Sequence, residues 1–136
     1  MQENNIAEIK SLDTRDINWM DRIHLDSFGN SLLENDIKSP YIARGIKDIC
    51  YIIFTKVCDE SEIIYIAVDR AHRRHGYASR LIDDLKGDIF LDVRDKNEGA
   101  IEFYKAMGFK EYNRRENYYK DGSTAILMKR SKICIH

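Results

Sequence analysis

Apolar residues recur in the second half of this chain at the spacing of a helix. Ala78, Leu81, Ile82 and Leu85 stand at i, i+3, i+4 and i+7, and Ala100, Phe103, Tyr104 and Met107 repeat the pattern. Each set forms one apolar stripe of a 3.6-residue helix, and Gly87 and Gly108 stand where a helix would end. The first half opens on Ile6, Ile9 and Leu12, a candidate strand over residues 4–12. Asp13 or Thr14 can then cap a helix over about 15–28, with Ile17, Met20 and Ile23 toward the core. Leu32, Leu33 and Ile37 predict a second short helix, stopped by Ser39-Pro40 because the residue before proline leaves helical backbone. Three β-rich runs follow, Tyr41–Ile46, Ile49–Val57 and Ile63–Val68, joined by the polar pairs and triplets Lys47-Asp48 and Asp59-Glu60-Ser61. Ile89–Val93 predicts a short strand between the two helices. Phe109–Tyr119 and Ser123–Lys132 predict a last pair of strands around Asp121-Gly122. The order is β-α-α-β-β-β-α-β-α-β-β, an α+β (mixed α/β) chain with helices packed on a mixed sheet.

A length of 136 residues suits one domain, residues 1–136, and excludes a (β/α)₈ barrel. The hydrophobic share of 43% suffices for a core, which argues against disorder. The 22 basic and 23 acidic side chains nearly cancel, unlike a protein that grips nucleic acid by bulk charge. The halves differ: residues 1–68 carry 7 basic and 12 acidic groups, and residues 69–136 carry 15 and 11. An anionic ligand is therefore expected on the second half. Ile49–Thr55, as long as any uncharged stretch in the chain, is far short of the ~20 residues that span a bilayer. No basic start leads into an apolar run, so no signal peptide is expected and the cytoplasm is the expected compartment. Cys50, Cys58 and Cys134 lack metal-ligand spacing; they read as reduced, mostly buried thiols, and no metal site is expected.

One segment carries chemistry. After the strand ending Ile66-Ala67-Val68-Asp69 comes a basic glycine loop, Arg73-Arg74-His75-Gly76, and then a helix opening on Tyr77-Ala78-Ser79. Free amide groups at a helix start point out of its end and bind anions. Gly76 lets backbone approach a phosphate closely, Ala78 keeps the first turn open, and the arginines add charge. The plain alternative is a surface loop with two arginines.

Arg-x-x-Gly-x-Ala after a strand ending Ala-Val-Asp resembles motif A of the GNAT acyl-coenzyme A N-acyltransferase superfamily. Asn97-x-x-Ala100-x-x-x-Tyr104-x-x-x-Gly108-Phe109 resembles its motif B. Together these cover roughly residues 63–119. Within the superfamily, Leu91-Asp92-Val93-Arg94, the Asn97 motif and Arg114-Arg115-Glu116-Asn117-Tyr118-Tyr119 look like the bacterial ribosomal-protein-alanine N-acetyltransferases of the RimI type. The resemblance implies a mostly antiparallel sheet with helices on both faces. It implies acetyl-CoA as co-substrate and a protein N-terminus, that of a ribosomal protein, as acceptor. Ile66, Ala67 and Val68 would hold the pantetheine arm through backbone. Arg74, His75, Gly76, Tyr77, Ala78 and Ser79 would bind the pyrophosphate, Arg73 and Asn97 would contact the cofactor, and Tyr104 would contact it too and be the general acid. Tyr118 and Tyr119 would line the acceptor groove. Asp92 stands where the family has a glutamate base; being one methylene shorter, it would work through water. A monomer or weak dimer is expected, with neither nucleic acid nor membrane as partner.

Plain readings stand beside these roles. Tyr104 lies on an apolar stripe and suits a core aromatic. Asp92 can pair with Arg94 or Arg114, Asn97 can be a helix cap, and Tyr118 and Tyr119 can alternate along a strand. His72 and His75 read as solvated. Two other functions compete: acetylation of a small-molecule amine, and a non-catalytic module that binds acyl-CoA or a partner.

Overall fold

A computed structural model describes residues 7–132, which group into two compact units. One unit comprises residues 7–55 and 64–84, the other residues 56–63 and 85–132.

The first unit contains strands β1 (Lys10–Leu12), β2 (Ile42–Ile46), β3 (Cys50–Val57) and the later part of β4 (Glu60–Val68), which neighbour one another in that order. β1–β2 and β2–β3 are antiparallel, with Lys10 opposite Gly45 and Ala43 opposite Ile53. Of the strand expected over 4–12, residues 4–6 lie outside the described residues and the pairing begins at Lys10. Helix α1 (Ile17–Phe28) starts two residues later than expected. Asp13 and Asp16 form a reciprocal cap around a 3-10 turn, Thr14–Asp16, before α-helical bonding begins. The inward face of α1 presents Trp19, Met20 and Ile23 to Leu32, Ile37, Ala43, Tyr51, Ile53 and Ala67, all buried. Burying a side chain of this size contributes about 1.5–3 kcal/mol.

The second helix expected around Leu32–Ile37 does not form; a 3-10 turn, Glu34–Ile37, stands there. The amides of Leu32 and Leu33 donate to Asp21 Oδ1 at 2.7 Å and Asp36 Oδ2 at 2.8 Å. The Leu33–Asp36 bond caps the start of this turn, where amides have no intrahelical acceptor. Lys38 is already extended, so only the 4 residues of the turn remain. The connection between β3 and β4 is the turn Cys58-Asp59, with Cys58 exposed at φ 54°. Of the thiols expected to be buried, Cys50 is, Cys58 is not, and Cys134 lies outside the described residues. Helix α2 (Tyr77–Asp83) closes this unit.

The second unit holds the start of β4 with β5 (Asp88–Arg94), β7 (Ala125–Arg130) and β6 (Lys110–Arg115), in that spatial order, and helix α3 (Glu98–Ala106). β4 and β5 run parallel, with Glu62 opposite Phe90; β5–β7 and β6–β7 are antiparallel. Pairing is thus mixed and mostly antiparallel, as expected. Along β5, Ile89, Leu91 and Val93 are buried while Asp92 and Arg94 emerge on the other face. Gly87 is required before β5: it has φ 79°, and a Cβ there would overlap the Asp59 carbonyl. The last strands are shorter than expected, because Glu116-Asn117 turns the chain with Asn117 at φ 52°. Tyr118 and Tyr119 therefore lie in the β6–β7 loop, not on a strand.

Candidate active site

In the first unit, β4 delivers Ile66, Ala67 and Val68 to a turn built on Asp69. The Asp69 carboxylate accepts from His72 Nδ1 at 2.8 Å, Arg22 Nη1 at 2.9 Å and the Ala71 amide at 3.2 Å. These bonds, those from His72 and Arg22 first, hold its pKa below the usual carboxylate range. His72, read as solvated, is thus tied to the turn. Arg73 folds back onto the protein: Nε donates to the Val68 carbonyl at 3.1 Å, and Nη2 reaches Asp26 and Ser27 on α1 at 3.4 Å each. Arg74 and His75 are exposed beside Gly76. Arg74 has φ 67° and Gly76 φ 79°, and a Cβ placed on Gly76 would meet nothing within 4 Å. The backbone at Gly76 thus opens to free space, and the amides of Tyr77, Ala78 and Ser79 at the start of α2 have no intrahelical acceptors. Arg73 is committed to shaping this loop, and Arg74 is the arginine turned outward.

In the second unit, Asp92 emerges on the face of β5 opposite the buried Ile89, Leu91 and Val93, and Asn97 and Tyr104 belong to α3 and its cap. Asp92 is exposed and forms no ion pair among the described residues. The arginines expected to neutralise it are engaged elsewhere: Arg94 with Asp121 at 3.0 Å and Arg114 with Glu111 at 3.0 Å. Glu62, on the adjacent parallel strand, lies on the same face; burial, and then the Asp92 charge, raise its pKa. Tyr119 is raised by the same two causes in the same order. Glu62 escaped the reading of the sequence, although its two-residue alternation with Ile64 and Ile66 along β4 was a usable signal. Asn97 caps α3, its Oδ1 accepting from the Ala100 amide at 3.2 Å, as the plain reading expects. Tyr104 packs edge-on against Phe103 and Phe109, and burial raises its phenol pKa. The phenol therefore stays protonated at neutral pH, the form a proton donor needs. Among the described residues no three His, Cys, Asp or Glu side chains are grouped to hold a metal, and no helix is long and apolar enough to cross a membrane.

The first unit thus holds a strand, an open glycine loop and a short helix, and the second a carboxylate with no ion pair among the described residues and a protonated tyrosine. The profile of the acetyltransferase (GNAT) family matches residues 49–109. A ribosomal protein bS18-alanine N-acetyltransferase of Haemophilus ducreyi is 30% identical over 121 residues, covering 77% of this chain and 83% of that protein. This chain belongs to the GNAT acetyltransferase family. The corresponding Escherichia coli enzyme is 36% identical over 98 residues, 64% of this chain. The chain spans about two thirds of that relative, 66%, and only 21% of an uncharacterised Mycobacterium leprae protein that is 42% identical over 77 residues. The crystal structure of the Escherichia coli ribosomal-protein-alanine N-acetyltransferase matches with a TM-score of 0.81 at 27% identity, covering 96% of this chain and 97% of that one.

Proposed function

We propose that this protein is an acetyl-CoA-dependent N-acetyltransferase acting on the N-terminal α-amine of a protein, a ribosomal protein that begins with alanine. The observation that carries the chemistry is Asp92, a carboxylate with no ion-pair partner among the described residues, on a strand face shared with Glu62 and Tyr119. The acceptor follows from relatives named for acetylating a ribosomal protein alanine. An α-amine, pKa ~7.7–8.0, is far easier to neutralise than lysine at ~10.4, so a carboxylate acting through water suffices. This reading places the reaction in the cytoplasm.

Acetyl-CoA, once bound, supplies the acetyl group as a thioester. The open backbone of Gly76–Ser79, with Arg74 and His75 beside it, binds the pyrophosphate, and Arg73 keeps that loop in shape. Backbone of Ile66, Ala67 and Val68 orients the pantetheine arm, and the Val68 N–H polarises the carbonyl. The amide nitrogen of Asn97, whose oxygen caps α3, contacts the cofactor. As the amine forms its bond to the acetyl carbon, Asp92 takes the amine proton through water. Tyr104 gives its phenol proton to the sulfur as the C–S bond breaks. Tyr118 and Tyr119 contact the acceptor.

The test is acetylation of an alanine-starting peptide, compared with polyamines and a peptide whose only free amine is a lysine. Mass spectrometry should place one acetyl group on the α-amine. Faster turnover of a polyamine would make the acceptor a small molecule, and acetyl-CoA binding with no turnover would make the protein a non-catalytic module.

A further inference from the structure

The β6–β7 loop is held by one guanidinium. Arg94 leaves β5 on the Asp92 face, and its Nη1 donates to Asp121 Oδ1 at 3.0 Å and to Ser123 Oγ at 2.7 Å. The amide and hydroxyl of Ser123 donate to the same Asp121 oxygen at 2.9 and 2.6 Å. These bonds from Ser123, and then Arg94, push the Asp121 pKa down to about 2, so the carboxylate is always charged at neutral pH. The Ser123 carbonyl in turn accepts from the amides of Tyr118 and Tyr119 at 3.1 and 3.3 Å, and the Tyr119 carbonyl accepts from Gly122 at 2.9 Å. The Arg94 guanidinium also lies over the Tyr119 ring, 4.0 Å from its centroid, and the Tyr118 ring meets Tyr119 edge-on at 5.1 Å.

Every bond in this chain leads from Arg94 to the two tyrosines. Arg94 also stands two residues from Asp92 on the same strand face, where it would ordinarily neutralise the carboxylate. Asp121 takes up that charge instead.

We propose that Arg94, working through Asp121 and Ser123, is the positioning residue that presents Tyr119 to the acceptor and leaves Asp92 free to accept a proton. The proposal rests on Tyr118 and Tyr119 being acceptor contacts. Arg94 itself touches no substrate. A lysine would keep the charge but lose the planar group that both forks and stacks.

The experiment is a double-mutant cycle on the full chain, Arg94→Ala with Tyr119→Ala, read as KM for an alanine-starting peptide and KM for acetyl-CoA. Arg94→Ala should raise the peptide KM about fivefold, the scale of a cation–π contact at an exposed site such as this one. The acetyl-CoA KM should move by less than about twofold, and the double variant should be no worse than Tyr119→Ala alone. Arg94→Lys should fall between Arg94→Ala and the unmodified chain, and Asp121→Asn should repeat the pattern if Arg94→Ala fails to fold. Additive effects, or an equal rise in the acetyl-CoA KM, would overturn the proposal. If the chain turns over a polyamine and no peptide, the acceptor reading fails and the same coupling, measured on that amine, still decides. If no amine is turned over, hydrogen exchange decides. Protection of the Tyr118 and Tyr119 amides lost in Arg94→Ala and kept in Arg94→Lys supports the positioning role; unchanged protection overturns it.

Discussion

Asp92 and Glu62 project from neighbouring parallel strands onto one face, and neither is neutralised by the arginines nearest in sequence to Asp92. Removing the Asp92 charge should therefore cost turnover and not stability. Asp92→Asn is expected to lower kcat at pH 7 by about 10²-fold or more, the usual scale for acid–base help. Its melting temperature should stay close to that of the unmodified chain, since no ion pair among the described residues breaks. Activity should recover in part toward pH 9, where an α-amine is mostly neutral without a base. Asp92→Glu should remain active. Melting curves and pH–rate profiles on the same preparations check both statements, and a destabilised but fully active Asp92→Asn would make the residue structural. Tyr104 needs a different control, because its packing against Phe103 and Phe109 satisfies the plain reading as well. Tyr104→Phe keeps the ring; kcat should fall while acetyl-CoA affinity by calorimetry stays within about twofold. Helical spacing made Tyr104 inward-facing, but only its register from Asn97 within a recognised motif suggested chemistry.

At the scale of elements, the loop between β4 and α2 was legible because its parts are contiguous: strand, basic turn, glycine, helix. The structure divides the labour among its arginines, Arg73 bonding to Val68, Asp26 and Ser27 and Arg74 remaining exposed. Gly76→Asp should abolish acetyl-CoA binding in isothermal calorimetry. It would force a side chain into φ 79° and put a negative charge into the open space above the loop. Unchanged affinity in a folded Gly76→Asp protein would remove this loop from the cofactor's path. Other elements depart from their sequence pattern for local reasons. The second helix failed because Lys38, two residues before Pro40, is already extended and leaves room only for a 3-10 turn. The Tyr118-Tyr119 strand failed because Arg94, Asp121 and Ser123 bond the chain into a loop.

At the scale of the whole molecule, the first unit buries a titratable group against its core. His24, 1% exposed, bonds to Tyr51 and Asn30 and stacks with Phe28 and Tyr65. Burial lowers its pKa, which the Asn30 bond and the charges of Asp36 and Asp21 offset only in part. The unfolded chain, with a histidine pKa of ~6.5, therefore binds a proton more readily than the fold. This contribution to stability is complete above pH ~6.5 and is lost as the pH falls from there toward the lowered folded value. Urea melts from pH 7.5 to 5 should show that decline, and His24→Gln should flatten it whatever its overall stability. Nothing in the sequence singled out His24, since its partners Tyr51 and Tyr65 come from strands far along the chain. The same division holds throughout. The amphipathic helices, the β-rich runs, the glycine loop and the motif residues follow from contiguous stretches of sequence, because their physics is periodicity, capping and backbone freedom over a few residues. Which carboxylate stands beside Asp92, which arginine is free and which is bound, and whether the tyrosines lie on a strand or in a loop depend on partners tens of residues away. Only chain folding brings those partners within the few ångströms over which a hydrogen bond or an ion pair acts.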